Sequence, residues 1–345
     1  MTAKEAREYA RAGVSLEVAD AAKERIGELV ARTRTPLTVG NVGAFGGMVR
    51  VPAGLRNPTL VLSTDGVGTK VLVAIQAGSF DTVGEDLVNH SVNDILVHGA
   101  APLAFLDYIA GASLAVEQIT GIVEGIARAC LAHGMALAGG ETAQMPGLYQ
   151  PGTFDLAGTI IGVVEEGRAI HGTAIRPGDL LLGYASTGLH TNGYTLARRI
   201  LFDRLGLRLE DQLEGSKHTL GEALLAVHRS YYRSVHPVLD RFHGLAHITG
   251  GGIPGNLVRI LPQDCTATVD PGSWEPPPLF TFMQQAGQIS PEEMREVFNL
   301  GVGLVAVLPP DAIAPAQAAA RADGVTTWVM GEIQSGTKSV RFARP

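Results

Sequence analysis

"TLVLSTDGVGTK", Thr59 to Lys70, sets an apolar run against an acid, two glycines and a lysine. Thr59–Ser63 reads as a buried strand with the polar residues at its tip. Gly66 and Gly68 permit positive φ, so the tip reads equally as a tight turn or as a loop that carries function. It is not a Walker A loop, which needs four residues between its first glycine and its Gly-Lys pair. The rest of the chain has to decide.

Outward from this strand, helices and strands alternate. Upstream, a helix is expected over Val18–Arg32, followed by the glycine-rich loop "PLTVGNVGAFGG". Downstream, Asp81–His98 reads as a helix with Asp81 as N-cap and Gly99 as stop. "APLAFLDYIAG" reads as a strand. Val116–His133 is a second helix, with Ile119, Ile122, Val123 and Ile126 at helical spacing. "MALAGGET" and "FDLAGTIIGVV" are further strands. A polar, turn-rich break at Glu165–Asp179 divides the chain into expected domains 1–165 and 170–345. Beyond it, "LLLGYAS", "AHITGG", "TATVD", "GVGLVAVLP" and "TTWVMGEIQ" read as strands. "NGYTLARRIL", "EALLAVHRSYYRSVHPVLDRF" and "PGNLVRIL" read as helices, and "WEPPPLF" as a rigid connector. The alternation in both halves makes the fold class α/β.

At 345 residues, two domains are the prior. A net charge of −7 argues against a general nucleic-acid binder but leaves room for a small anionic ligand. Cys130 and Cys265 are the only cysteines and form no CxxC, so they read as packed, reduced thiols. The charged opening shows no apolar signal segment, and no apolar run reaches membrane-span length. A cytoplasmic protein that contacts no membrane is the expectation.

Three groups of side chains carry chemistry. Asp86, His90, Asn93 and Asp94 recur on one face of the Asp81–His98 helix, among apolar neighbours that would bury acids. That stripe reads as a metal-facing set, against the plainer reading of a solvated face. "GGET" places Glu141 after a strand and two glycines, repeating the logic of "STDG". Asp65, the pair Asp86 and Asp94, and Glu141 thus offer oxygen ligands of the kind magnesium takes together with substrate phosphates. Lys70 would face phosphate. In the second half, "STGLHTNGYTL" and "HITGGGIPGNL" place His190, Thr191, Asn192 and Gly250–Gly252 before helix starts, a device that suits an anion. His243 and His247 are four apart, but Gly244 and the strand pattern argue against a helical zinc pair. His98, His133 and His228 read as helix-end or surface residues.

The strings "STDGVGTK", "DLVNHSVNDILVHGAAPLAFLDY", "GGETAQMPG", "GLHTNGYTLARRIL", "HITGGGIPGNL" and "FNLGVG" stand in this order. In them the chain resembles the phosphoribosylformylglycinamidine cyclo-ligases (AIR synthetases) over nearly its whole length. The resemblance implies the two-domain PurM-like fold, with an α+β N-terminal domain that contributes to a β-barrel shared in a homodimer. It implies a C-terminal α/β domain, and conversion of formylglycinamidine ribonucleotide and ATP into 5-aminoimidazole ribonucleotide, ADP and phosphate. Magnesium, and potassium in some members, come with it. Carried onto this sequence, it implies a nucleotide site of Thr64, Asp65, Gly66, Gly68, Thr69, Lys70, Asn93, Asp94, Gly140 and Glu141. Asp65, Asp94 and Glu141 would hold metal. His190, Thr191, Asn192, Gly250, Gly251 and Gly252 would meet the substrate, with Lys70, His190 and His247 catalytic. Gln144 stands where the family usually has a glutamate, and His90 where it often has an apolar or sulfur residue. Selenophosphate synthetase shares the aspartate loops but carries a reactive cysteine or selenocysteine near its N-terminus, and no cysteine here precedes Cys130. A catalytically inactive nucleotide-binding dimer is the alternative of a different class.

Overall fold

A computed structural model describes residues 16–40, 45–213 and 215–343, and the side chains from residue 20 onward. The chain forms two compact units. The first comprises residues up to Val92 together with Pro102–Val163. The second comprises Asn93–Ala101 and the chain from Val164.

In the first unit, α1 (Leu16–Arg32) precedes a short antiparallel ribbon of β1 (Thr38–Val39) and β2 (Met48–Val49). Then follow β3 (Pro58–Gly66), α2 (Lys70–Ala77), α3 (Asp81–Leu96), β4 (Ala101–Gly111), α4 (Val116–His133), β5 (Ala136–Gln144) and β6 (Phe154–Glu165). The sheet runs β3-β6-β4-β5, so β3 and β5 are its two edges. β4 and β5 are parallel and joined through α4, as a crossover connection requires. α4 starts with the Gln118 side chain accepting from Ala115 N–H, and ends at Gly134 in the left-handed region. On β6, Phe154, Leu156 and Ile160 turn inward at period two.

Two expectations change here. α3 stops at Leu96, two residues early, and Gly99 at φ 81° turns the chain. β3 is not a buried strand: Leu60 is 48% and Leu62 63% exposed, both on one face of an edge strand. An apolar run in sequence cannot distinguish a covered sheet face from an uncovered one.

The second unit is built on a six-stranded sheet of order β12-β9-β11-β7-β10-β8. Its strands are β7 (Leu180–Ala185), β8 (Gly244–His247), β9 (Cys265–Val269), β10 (Val302–Leu308), β11 (Thr327–Ser335) and β12 (Ser339–Phe342). Pairing is antiparallel except between β9 and β12. Every residue of β10 is buried. Leu304, Ala306 and Leu308 join one core with Leu182, Tyr184 and Val235, whereas Val305 and Val307 join another with Leu181, Ile253 and Leu257. A strand covered on both faces reads as the unbroken apolar run seen in "GVGLVAVLP".

The long helix expected over "EALLAVHRSYYRSVHPVLDRF" is broken. α6 (Leu220–Leu225) ends, residues 226–231 are irregular, and α7 (Tyr232–Val235) passes into a 3₁₀ segment at His236–Arg241 containing Pro237. The break has a cause: the Asn93 side chain donates to Arg229 C=O at 2.8 Å and accepts from Tyr231 N–H at 2.9 Å. It takes the backbone groups that a helix would have paired. The helix expected over "NGYTLARRIL" is α5 (Tyr194–Arg198), continued as a π-helical turn at Arg199–Arg204. The connector "WEPPPLF" holds a helix start, since α9 (Pro278–Gly287) begins at a proline, where a missing N–H costs nothing. α8 (Gly252–Ile260), α10 (Pro291–Val297) and α11 (Ile313–Ala322) complete the unit.

Candidate active site

In the first unit, the tip of β3 carries Asp65. One carboxylate oxygen accepts from Gly66 N–H at 2.7 Å, and the other lies 2.6 Å from His90 Nε2 on α3. His90, which stands where the family often has an apolar or sulfur residue, is thus the partner of the Asp65 carboxylate. Gly68 has φ 68°, so the chain turns there before Thr69, the N-cap of α2. Thr64 Oγ1 bonds Thr159 Oγ1 on β6 at 2.7 Å.

Lys70 departs from its expected place. Its ammonium is buried and lies 2.7 Å from Asp86, which is equally buried. Burial lowers the Lys70 pKa, and the Asp86 carboxylate opposes that shift. The pair pins α2 to α3. Asp86 therefore does not belong to an open, metal-facing stripe, because an ion pair inside the fold already balances its charge.

Glu141 is exposed on β5, and Gly140 pairs with Asp107 of β4. A Cβ at Gly140 would stand 2.3 Å from an Asp107 carboxylate oxygen, so only glycine leaves room for that carboxylate. Burial pushes the Asp107 pKa up to about 7, with the Glu141 charge adding to the rise. Sequence reasoning missed Asp107, which lies inside a run that reads as a plain strand. Asp65 and Glu141 sit on opposite edges of the four-stranded sheet, three strand spacings or about 14 Å apart along it. One chain does not bring these two carboxylates together.

In the second unit the expected residues converge. His190 is buried with φ 62°, a rare conformation for a non-glycine residue, and its Nε2 accepts from Thr187 N–H at 3.2 Å. Asn299 holds this loop, donating to Gly188 C=O at 2.9 Å and accepting from Gly301 N–H at 2.9 Å. His247, at the end of β8, meets Asp94 Oδ1 through Nδ1 at 2.8 Å. A Cβ on Gly250 would lie 3.4 Å from Asn192 Oδ1, so the two glycine-rich loops touch. Asn256 Nδ2 ties the second loop by donating to the carbonyls of Thr249, Gly250 and Gly252. Gly251 and Gly252 both have positive φ, and α8 starts there.

His228 is neither a helix end nor a surface residue. It is fully buried, with Nε2 3.1 Å from His247 Nε2 and 3.2 Å from Asn93 Nδ2. Its Nδ1 is 3.3 Å from Thr191 Oγ1, and the His190 ring stacks on it at 3.9 Å. The signal that could have found it was Asn93, whose amide breaks the helix on which His228 seemed to lie.

These two units define a class. The family of "AIR synthase related protein, N-terminal domain" matches residues 46–164, and that of "AIR synthase related protein, C-terminal domain" matches residues 176–343. Among solved structures, the chain is similar to thiamine-monophosphate kinase from Stenotrophomonas maltophilia, with TM-score 0.69 and 19% identity, covering 91% of this chain and 94% of that one. It is also similar to hydrogenase maturation protein HypE in complex with ATP, with TM-score 0.63 and 18% identity, covering 91% and 88%. At such identities these show the shared two-domain PurM-like fold. The phosphoribosylformylglycinamidine cyclo-ligase of Sorangium cellulosum is 47% identical over 331 residues, covering 95% of each chain. That of Myxococcus xanthus is 46% identical over 331 residues, covering 95% of this chain and 96% of its own. The chain belongs to the phosphoribosylformylglycinamidine cyclo-ligase family.

Proposed function

We propose that the chain is an ATP-dependent cyclo-ligase that converts formylglycinamidine ribonucleotide into 5-aminoimidazole ribonucleotide, ADP and phosphate. The observation that carries this reading is the 47% identity to a cyclo-ligase across 95% of both chains. An amide oxygen is a poor leaving group. Once it accepts the γ-phosphoryl group of ATP it departs as phosphate, and a neighbouring nitrogen closes the five-membered ring. Catalysis then consists mostly of holding two anions in register and stabilising the transferring group.

In this reading Thr64, Asp65, Gly66, Gly68, Thr69, Asn93, Asp94, Gly140 and Glu141 serve the nucleotide. Lys70 serves it indirectly, by fixing the start of α2 rather than by touching phosphate. His190, Thr191, Asn192 and Gly250–Gly252 serve the ribonucleotide, and His247 moves a proton. The oxygen donors Asp65, Asp94 and Glu141 fit magnesium, since the Asp65 and Asp94 side chains are partly open, at 42% and 23% exposure, and this ion keeps several waters. Magnesium would supply charge neutralisation at the phosphates. Potassium is part of the reading, without an assigned residue.

Residues 1–165 would form the nucleotide-binding and dimerisation domain, and 170–345 the second domain. A homodimer is part of the proposal. A second copy that completes a barrel would cover Leu60 and Leu62, and it offers β5 of one chain to the β3 edge of the other. That pairing supplies each site with Asp65 from one chain and Glu141 from its partner. The test is turnover of purified chain with ATP and formylglycinamidine ribonucleotide. One ADP and one aminoimidazole product per substrate is the expected result. ATP binding without turnover would leave an inactive nucleotide-binding dimer instead.

A further inference from the structure

We propose that His190, His228 and His247 form a site for a zinc-like transition-metal ion within the second unit. The three histidines come from separate segments: the loop after β7, the irregular stretch between α6 and α7, and the end of β8. All are buried, and one ring nitrogen from each lies within 4.8 Å of the others. The Nε2 atoms of His228 and His247 are 3.1 Å apart. Zinc–imidazole bonds of about 2.0–2.1 Å place two tetrahedral ligands about 3.3 Å apart, so this pair needs almost no movement.

The surroundings match those of metal-binding histidines, which give their other ring nitrogen to a carboxylate or similar acceptor. His247 Nδ1 faces Asp94 at 2.8 Å, and His228 Nδ1 faces Thr191 Oγ1 at 3.3 Å. The two Nε2 atoms thereby face each other. His228 Nε2 has a single lone pair but two close neighbours, Asn93 Nδ2 and His247 Nε2. A cation between the imidazoles takes up that lone pair, and the Asn93 amide keeps its bonds to Arg229 and Tyr231. His190 is the third ligand; its ring stacks on that of His228 at 3.9 Å, so to reach the metal it must swing out of the stack and release the bonds it accepts from Thr187 N–H and Arg229 N–H. Imidazole donors select zinc, copper, nickel or cobalt over magnesium, which prefers oxygen. The site is therefore distinct in chemistry from the carboxylates proposed for magnesium. Occupancy would engage His190 and His247, so on the cyclo-ligase reading zinc inhibits and added magnesium does not relieve it.

The probe is Co2+, titrated into untagged, metal-free chain in excess Mg2+ and followed by visible absorption, which needs no turnover. One Co2+ per chain is expected, with the intense bands of a four-coordinate site, and Zn2+ should displace it. His228→Ala and His247→Ala should each weaken Co2+ binding by at least about tenfold. His228→Asn, which keeps a short polar side chain in the cavity, should lose the same bands while retaining the wild-type melting temperature. Asp65→Asn should leave Co2+ binding unchanged. Absence of a stoichiometric four-coordinate signal in the wild-type chain, or unchanged affinity in folded His228→Asn, would overturn the proposal.

Discussion

At the scale of the residue, Lys70 shows what a string of letters conceals. In "STDGVGTK" it reads as a cation for phosphate, whereas it closes a fully buried pair with Asp86. Sequence gives the charge but not the direction of the side chain, and Asp86 lay sixteen residues away on a helix face that seemed available for metal. Removing one partner of a buried pair leaves a stranded charge. Lys70→Met is therefore expected to lower stability by about 3–5 kcal/mol in denaturant unfolding, and Lys70→Met with Asp86→Leu should recover most of it. Wild-type stability in the single variant would return Lys70 to the surface. Asp107 offers a second test at this scale. Its folded pKa is raised to about 7 from 3.8, so between those values the folded state holds more protons than the unfolded chain. Stability from this carboxyl must then fall as pH rises from about 4 to about 7, and the loss is complete above that range. Asp107→Asn, measured with EDTA present, should flatten that segment of the stability profile. An unchanged slope would place the ionisation elsewhere.

At the scale of the element, α3 and α4 meet backbone to backbone. A Cβ at Gly84 would lie 2.1 Å from Ile122 C=O, and one at Gly125 would lie 1.9 Å from Asp81 C=O. Arg128 straddles the same contact, bonding Glu85 at 2.7 Å and Asp81 at 3.0 Å. On an exposed helix, Gly→Ala gains up to about 1 kcal/mol. Here the methyl group has no space, and overpacking costs about 1–3 kcal/mol, so the sign reverses. Gly84→Ala and Gly125→Ala should each lower the denaturation midpoint, and a raised midpoint in either would contradict the crossing. α4 was legible from apolar spacing at Ile119, Ile122, Val123 and Ile126, and α3 from Asp81 as its cap and Gly99 as its stop. Their closeness was not, because a glycine in a helix looks like a weakness until its neighbour is known. The same limit hid the interruption at residues 226–231. The local pattern there favours a helix, and one asparagine far away in sequence takes its hydrogen bonds.

At the scale of the whole molecule, the alternation of strands and helices was readable, since it is a local signal. The edge positions of β3 and β5 were not, because sheet order depends on contacts between distant segments. That order gives the dimer proposal a sharp consequence. If each site takes Asp65 from one chain and Glu141 from its partner, a hybrid of an Asp65→Asn chain and a Glu141→Gln chain holds one intact site and one doubly altered site. Random mixing of the two inactive variants should restore about a quarter of wild-type turnover. No recovery would mean that both residues serve one chain's own site. The central claim is that ATP activates an amide oxygen and the ring closes by expelling phosphate. Its most direct measurement uses formylglycinamidine ribonucleotide carrying ¹⁸O in the formyl group, with the inorganic phosphate analysed after turnover. One ¹⁸O atom is expected in each phosphate released. Phosphate carrying oxygen from solvent, with the label lost to water, would contradict it.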